Sequence, residues 1–229
     1  MELEYSGHSI KGKVHKVNED SYRLLGNTAS LIKAANCGQV FAVFDGMGSA
    51  PKGAQAAQAM SDCLRHFFES EQKKSAKLLQ DILFEENKTI NDWGFIKGTQ
   101  KALGACAGTI GWLYDGKLTL FHAGDTMALL VKDDIERKLT VDHAEGHGIY
   151  RYFGLGESLI IDSIHFKIEE GDVLVLVSDG VTKVLSEHQI AECVRQHYLY
   201  SPERAVKELC RLSELRGSWD DITEWPLRS

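Results

Sequence analysis

Two apolar runs of strand length end in an acid followed by glycine. Residues 40–44 (VFAVF) lead into Asp45-Gly46, and residues 173–177 (VLVLV) lead into Ser178-Asp179-Gly180. Both read as buried strands. Residues 103–131 read as successive strands, with turns at Asp115-Gly116 and Gly124-Asp125. One further strand is predicted over 164–168, before the Glu169-Glu170-Gly171-Asp172 turn. Short strands joined by such turns form an antiparallel meander. Helical patterns occupy 54–70 after Pro51, 75–91, 187–196 and 203–215, the last with Ser201 as N-cap and Pro202 at the first helical position. Strands and helices are segregated rather than alternating, which favours an α+β layered fold over a doubly wound one. Residues 142–156, rich in His, Gly and Tyr, carry the least pattern and are predicted to form a mobile surface loop.

Composition narrows the function. The 229 residues hold three prolines, no repeat and no low-complexity stretch, so nothing marks a linker and one domain over 1–229 is expected. With 33 acidic against 26 basic residues, a net charge of −7, and no Lys/Arg stripe, nucleic acid is not the expected partner. Five scattered cysteines without a C-x-x-C pair suggest reduced thiols rather than disulfides or a zinc knuckle. The first residues lack the basic-then-apolar order of a secretory signal, and no apolar stretch approaches the roughly 18 residues of a membrane span. A soluble, cytoplasmic protein is predicted.

The candidate chemistry lies in the acids. Mg²⁺ and Mn²⁺ take oxygen ligands, so carboxylates at strand ends are the positions to inspect. Asp45 and Asp179 each follow a buried strand and precede a glycine, which lets the backbone turn tightly and a ligand approach. Singly, each is also an ordinary hairpin signal, as Asp115-Gly116 is taken to be. Asn18-Glu19-Asp20 and Asp220-Asp221-Ile222-Thr223 add two more acidic nodes far away in sequence. Acids from four distant segments are what a two-metal hydrolytic site requires, because cations about 3.5–4 Å apart need several carboxylates to balance them.

Order and wording extend this. The chain carries K-V-N-E-D (16–20), F-D-G-M-G (44–48), H-A-G-D-T (122–126), T-V-D-H (140–143), L-G-E (155–157), V-S-D-G-V (177–181) and D-D-I-T (220–223). In that order they resemble the motifs of the metal-dependent protein phosphatases of type 2C, the PPM family, and the D-G-M-G wording is similar to bacterial members that oppose Ser/Thr kinases. The resemblance implies a four-layer α+β sandwich, two antiparallel sheets packed face to face with helices on both outer sides. It implies two Mg²⁺ or Mn²⁺ ions held by Glu19, Asp20, Asp45, the Gly46 carbonyl, Asp179 and Asp220, with Asp45 bridging them and Glu19 acting mainly through water. Asp20, Asp45 and Asp179 would hold the nucleophilic water, a metal-bridging hydroxide that hydrolyses phosphoserine and phosphothreonine in proteins. A third ion is not expected, because 96–103 holds no acid. A phosphorylated protein, substrate of a Ser/Thr kinase, is the implied partner.

Several positions depart from the family pattern. His15 stands where the family has a phosphate-gripping Arg, and is assigned as a substrate contact of one donor rather than a bidentate fork, with Lys11, Lys13 and Lys16 as nearby point charges. Met47 stands where some members have a proposed general acid, leaving water to protonate the leaving group. Asp221 replaces an Asn, adding charge that either raises metal affinity or faces solvent. Pro226 predicts a short terminal strand confined to an edge. His143 and His147 lack a third ligand at zinc spacing and read as exposed loop residues, and the four tryptophans read as packing. No cysteine lies in a Gly-rich, Arg-followed loop, which disfavours a thiolate nucleophile. Two alternatives remain: a PPM-fold regulatory or phosphoprotein-binding module with little or no turnover, and a hydrolase of small phosphoesters.

Overall fold

The computed structural model describes residues 4–26, 32, 36–146, 148–198 and 201–228. In chain order the elements are β1 (Glu4–Tyr5), β2 (His8–Ile10), β3 (Asp20–Leu25), β4 (Gln39–Gly46), α1 (Gly53–Glu69), α2 (Ala76–Asn91), β5 (Cys106–Tyr114), β6 (Lys117–Ala123), β7 (Met127–Lys132), β8 (Ile135–Lys138), β9 (Ala144–Glu145), β10 (Gly148–Ile149), β11 (Asp162–Lys167), β12 (Val173–Val177), α3 (Asp179–Thr182), α4 (Glu187–Tyr198), α5 (Pro202–Leu215) and β13 (Ile222–Arg228). One sheet runs β11-β6-β5-β4-β3. The other runs β1-β13-β12-β7-β8, with β2 continuing beside β13 where β1 stops. All these pairings are antiparallel.

The unbroken apolar runs are explained by burial on both faces. On β4, Val40, Ala42 and Phe44 pack with Met60, Leu64 and Phe67 of α1, whereas Phe41 and Val43 face the other sheet. On β12, Val173, Val175 and Val177 pack with α4 and α5, and Leu174 and Leu176 meet Phe41 and Trp225 between the sheets. Side chains alternate faces along a strand, so a strand covered twice has no polar position to alternate with. The result is a helix–sheet–sheet–helix sandwich, α1 and α2 on one side and α4 and α5 on the other. Two predicted helix starts have hydroxyl caps: Ser201 accepts the N–H of Arg204, with Pro202 at N1, and Ser75 accepts that of Leu78.

Three expectations need correction. β13 is neither short nor at an edge: its seven residues lie between β12 and the β1/β2 pair. The Pro226 carbonyl points to the N–H of Ser6, in the gap between β1 and β2, so the N–H that proline lacks would point into the same gap. No ladder bond to β12 is lost. The 142–156 segment is anchored at both ends of its described part: His143 is buried and its N–H donates to the Gly124 carbonyl, and Phe153 is fully buried and exchanges both backbone hydrogen bonds with Cys106. Trp112 and Trp225 do pack in the interior, but Trp219 is 66% exposed.

Candidate active site

The two Asp-Gly strand ends reach the same end of the sandwich from different sheets. Asp45 closes β4 in one sheet, and Asp179 follows β12 in the other. The Asp179 N–H donates to Asp45 Oδ2 at 3.4 Å. Asp20, at the start of β3, is the cross-strand partner of Asp45. Two like charges directly opposite on neighbouring strands are destabilising unless something external compensates them. The glycines admit the remaining acids: a Cβ on Gly46 would lie 2.5 Å from the Glu19 carbonyl oxygen, and one on Gly180 would lie 1.9 Å from that of Asp221. Both Asp-Gly pairs therefore lie against the backbone of another acidic motif.

Several carboxylate oxygens find no donor. Asp20 Oδ2, Asp125 Oδ1, Asp179 Oδ1 and Glu19 Oε2 are buried without a hydrogen bond, the last having only His15 Nδ1 nearby at 3.5 Å. Burial pushes Asp20 up to about 8, partly offset by the hydroxyls of Thr223 and Ser178. Burial, then the charges of Asp20 and Asp179, raise Asp45 well above the carboxylate range. Burial and the charge of Asp179 push Asp125 up to about 6. Burial likewise raises Glu19 and, against the pull of Lys183, Asp179. Asp220 is the exception, since burial alone would raise it but the Lys183 ammonium outweighs this and holds it below its ordinary value. Buried acids with unpaired oxygens at one end of the sandwich suit hard divalent cations, so the donor set fits Mg²⁺ or Mn²⁺. The described residues with ligand atoms all within 4.8 Å of one another are His15, Asp220 and Asp221.

The basic side chains in contact with these acids are Lys183 and His15. Lys183 Nζ lies 2.6 Å from Asp179 Oδ2 and 2.8 Å from Asp220 Oδ2, and its ammonium is held charged by this pair despite burial. His15 Nε2 lies 3.1 Å from Asp220 Oδ1. A cleft of about 640 Å³ opens over the acids, lined by His15, Asp45, Gly46, Asp179, Lys183 and Asp220, with Met47, Lys101 and Tyr152 at its sides. Lys11 turns away, its ammonium donating to the carbonyls of Gly12 and His15. All five thiols are buried and pushed up by burial, the reverse of an activated nucleophile.

Glu19, Asp20, Asp45, Gly46, Asp179 and Asp220 thus meet at one end of the sandwich, with His15 at the cleft wall. Asp221 is buried rather than facing solvent: Oδ1 accepts the N–H of Gly12 and Oδ2 that of Glu19, both at 2.7 Å. His143 is buried rather than exposed. Its Nδ1 accepts the N–H of Gly124 and its Nε2 donates to Asp162, which also pairs with Arg151, so this ring anchors the Gly124-Asp125 turn. His147 lies outside the described residues. Asp125 and Lys183 had no assigned role in the sequence. The available signals were an acid beside glycine at the end of a strand for Asp125, and for Lys183 a position four residues after Asp179, the spacing that brings helical side chains together.

A sandwich with acids from both sheets gathered under an open cleft has a donor set that suits hard cations. The chain belongs to the protein phosphatase 2C family, whose family model matches residues 14–214. It is 23% identical to "Protein phosphatase 1K, mitochondrial" of Xenopus laevis over 262 residues, covering 97% of this chain and 67% of that protein. Among solved structures, the Mycobacterium tuberculosis serine/threonine phosphatase PstP/Ppp superposes with a TM-score of 0.80 at 21% identity, over 99% of this chain and 98% of that one. The catalytic domain of PstP in complex with two manganese ions gives 0.80 at 22%, over 99% and 97%. PppA, described as a key regulatory component of T6SS in Pseudomonas aeruginosa, gives 0.81 at 20%, also over 99% and 97%. At these identities the structures establish the shared fold. Among the described residues no helix is long and apolar enough to cross a membrane.

Proposed function

We propose that the protein hydrolyses phosphoserine and phosphothreonine in proteins with the help of Mg²⁺ or Mn²⁺ held at the acidic end of the cleft. The observation that carries this is the set of buried carboxylate oxygens of Glu19, Asp20, Asp125 and Asp179 that find no hydrogen-bond donor, placed around Asp45. Glu19, Asp20, Asp45 and the Gly46 carbonyl would hold one ion, and Asp45, Asp179 and Asp220 the second. Such ions supply a lowered pKa for bound water and neutralise charge on phosphoryl oxygens. The protein's own part is to position and to screen. Gly46 lets the Glu19 backbone pack against the Asp45 turn, and Gly48 lets the His15 ring and the Glu19 carboxylate lie close beside the 44–48 segment. His15 offers one donor to the phosphate after turning from its longer contact with Glu19, and Lys101 adds positive charge at the cleft wall. Met47 has no proton to give, so solvent protonates the departing serine or threonine oxygen. A kinase-phosphorylated protein is the corresponding partner, and the cytoplasm the corresponding compartment.

A second reading, a phosphoprotein-binding module of low turnover, is favoured by one observation: Lys183 already neutralises the Asp179–Asp220 pair. The deciding experiment measures phosphate release from a phosphothreonine peptide with Mn²⁺, with Mg²⁺ and with EDTA, for wild type and Asp45→Asn. Metal-dependent release that the variant loses supports the phosphatase. Peptide binding without release in any condition supports the module.

A further inference from the structure

Lys183 sits where a cation shared by Asp179 and Asp220 would sit. Its ammonium contacts one oxygen of each, at 2.6 and 2.8 Å. The contact is built into the chain: the Lys183 N–H donates to the Asp179 carbonyl at 2.8 Å, and the single helical turn between them sets the two side chains side by side. The tether means that little freedom remains to be lost when the ammonium docks.

Asp220 is fully engaged. Its Oδ1 accepts the N–H of Asp221 at 3.0 Å and lies 3.1 Å from His15 Nε2, while its Oδ2 accepts from Lys183 Nζ. On the other side of Asp45 no ammonium is in contact among the described residues, and Glu19 Oε2 and Asp20 Oδ2 lack a hydrogen bond, as Asp179 Oδ1 also does. The two halves of the acid cluster are therefore unequal. The His15 ring stands between the halves, but only the Asp179–Asp220 half holds an ammonium.

We propose that Lys183 is an intramolecular competitor for the second cation, so that the protein takes up its first divalent ion on the Glu19–Asp20–Asp45 side and its second only by displacing the Lys183 ammonium from Asp179 and Asp220. This rests on the metal-site assignment above and concerns its stoichiometry and order of filling. Displacement breaks two partly exposed ion pairs and brings a dication close to the expelled ammonium, which weakens the second step by at least about tenfold.

The test is Mn²⁺ binding to the metal-free protein, followed by titration calorimetry and by loss of the free-ion electron paramagnetic resonance signal. Wild type, Lys183→Met and Lys183→Arg are compared with no phosphorylated substrate present. Lys183→Met keeps the stem without the charge, and its thermal unfolding is checked first; Lys183→Gln replaces it if it does not fold. The expected result is two unequal steps in wild type and in Lys183→Arg. In Lys183→Met the second step tightens by about tenfold or more, with the first unchanged within about twofold. A second step of equal strength in wild type and Lys183→Met overturns the proposal and leaves the metal site standing. Absence of Mn²⁺ uptake in every form overturns the metal site and the proposal with it.

Discussion

Asp221 holds Glu19 in place through the backbone: its Oδ2 accepts the Glu19 N–H at 2.7 Å while its Oδ1 accepts that of Gly12, also at 2.7 Å. One carboxylate thereby spans the segment that carries His15 and joins it to the start of β13, beside Asp220. The position requires two acceptors. An asparagine offers one oxygen, and its NH₂ would face a backbone N–H.

Asp221→Asn is therefore expected to destabilise the protein by about 1–3 kcal/mol, the usual penalty for leaving a buried donor unpaired. Urea unfolding measures this. Mn²⁺ binding should weaken as well, because Glu19 loses its backbone anchor; unchanged stability and unchanged binding would mean that the clamp carries no load.

Asp45→Asn separates stability from function. Asp45 and Asp20 have raised pKa values in the folded protein, Asp20 to about 8, mainly through burial. A raised carboxylate binds more protons folded than unfolded, so the stability it contributes is complete below about pH 4 and is lost as pH rises through the folded value. In EDTA the wild type should lose thermal stability between about pH 5 and 8. Asp45→Asn should lose less and melt higher at pH 8, by about 2–4 °C per kcal/mol of relieved repulsion. With metal present the order reverses, and phosphate release should fall by at least about 100-fold. A variant that melts lower than wild type in EDTA at pH 8 would contradict the repulsion.

What was legible in the sequence follows from what burial does to a pattern. β4 and β12 could be read because helices cover one face and the opposite sheet the other, leaving uninterrupted apolar runs that end in Asp-Gly. β3 escaped notice because, as an edge strand, DSYRLL stays half-buried or exposed at every position and mixes polar with apolar residues. β13 was underestimated because Glu224 and Pro226 break its pattern. Yet Glu224 is fully buried, and the missing Pro226 N–H falls opposite the gap between β1 and β2. The acids of the site were visible as motifs, but the partner of each was not. Whether Asp221 binds backbone, metal or water depends on a loop 200 residues away, and Lys183 gains its role from a single helical turn too short to show periodicity.

His122 gives stability an acid limb. Its Nε2 donates to the Val141 carbonyl at 3.1 Å, so its Nδ1 accepts the Thr109 hydroxyl at 2.9 Å, and Thr109 in turn accepts from Thr126. Burial, with His143 alongside, pushes His122 down to about 4. The folded state thus binds fewer protons than the unfolded state, and stability present above about pH 6.5 is lost as pH falls towards 4. Between pH 7 and 4.5 this group should cost the wild type about 2–3 kcal/mol that His122→Gln does not lose. Parallel urea midpoints at the two pH values for both proteins check it. Equal declines would remove His122 from the acid limb.

His15 tests how the cleft grips phosphate. The ring stands between Glu19, 3.5 Å from Nδ1, and Asp220, 3.1 Å from Nε2, and packs against Gly48, where a Cβ would lie 3.0 Å from it. Each nitrogen aimed at a carboxylate is turned away from a phosphate. An arginine can meet an acid with one edge of its fork and a phosphoryl oxygen with the other, and stays charged throughout. His15→Arg should therefore lower KM for a phosphothreonine peptide by about tenfold, a gain of roughly 1.4 kcal/mol in binding, with kcat within about twofold. His15→Ala should raise KM and also destabilise the protein, because Glu19 and Asp220 would lose the group between them. If His15→Arg leaves KM unchanged while His15→Ala still destabilises, His15 belongs to the scaffold of the acids and the phosphate is gripped elsewhere in the cleft, where Lys101 is the next cation to substitute.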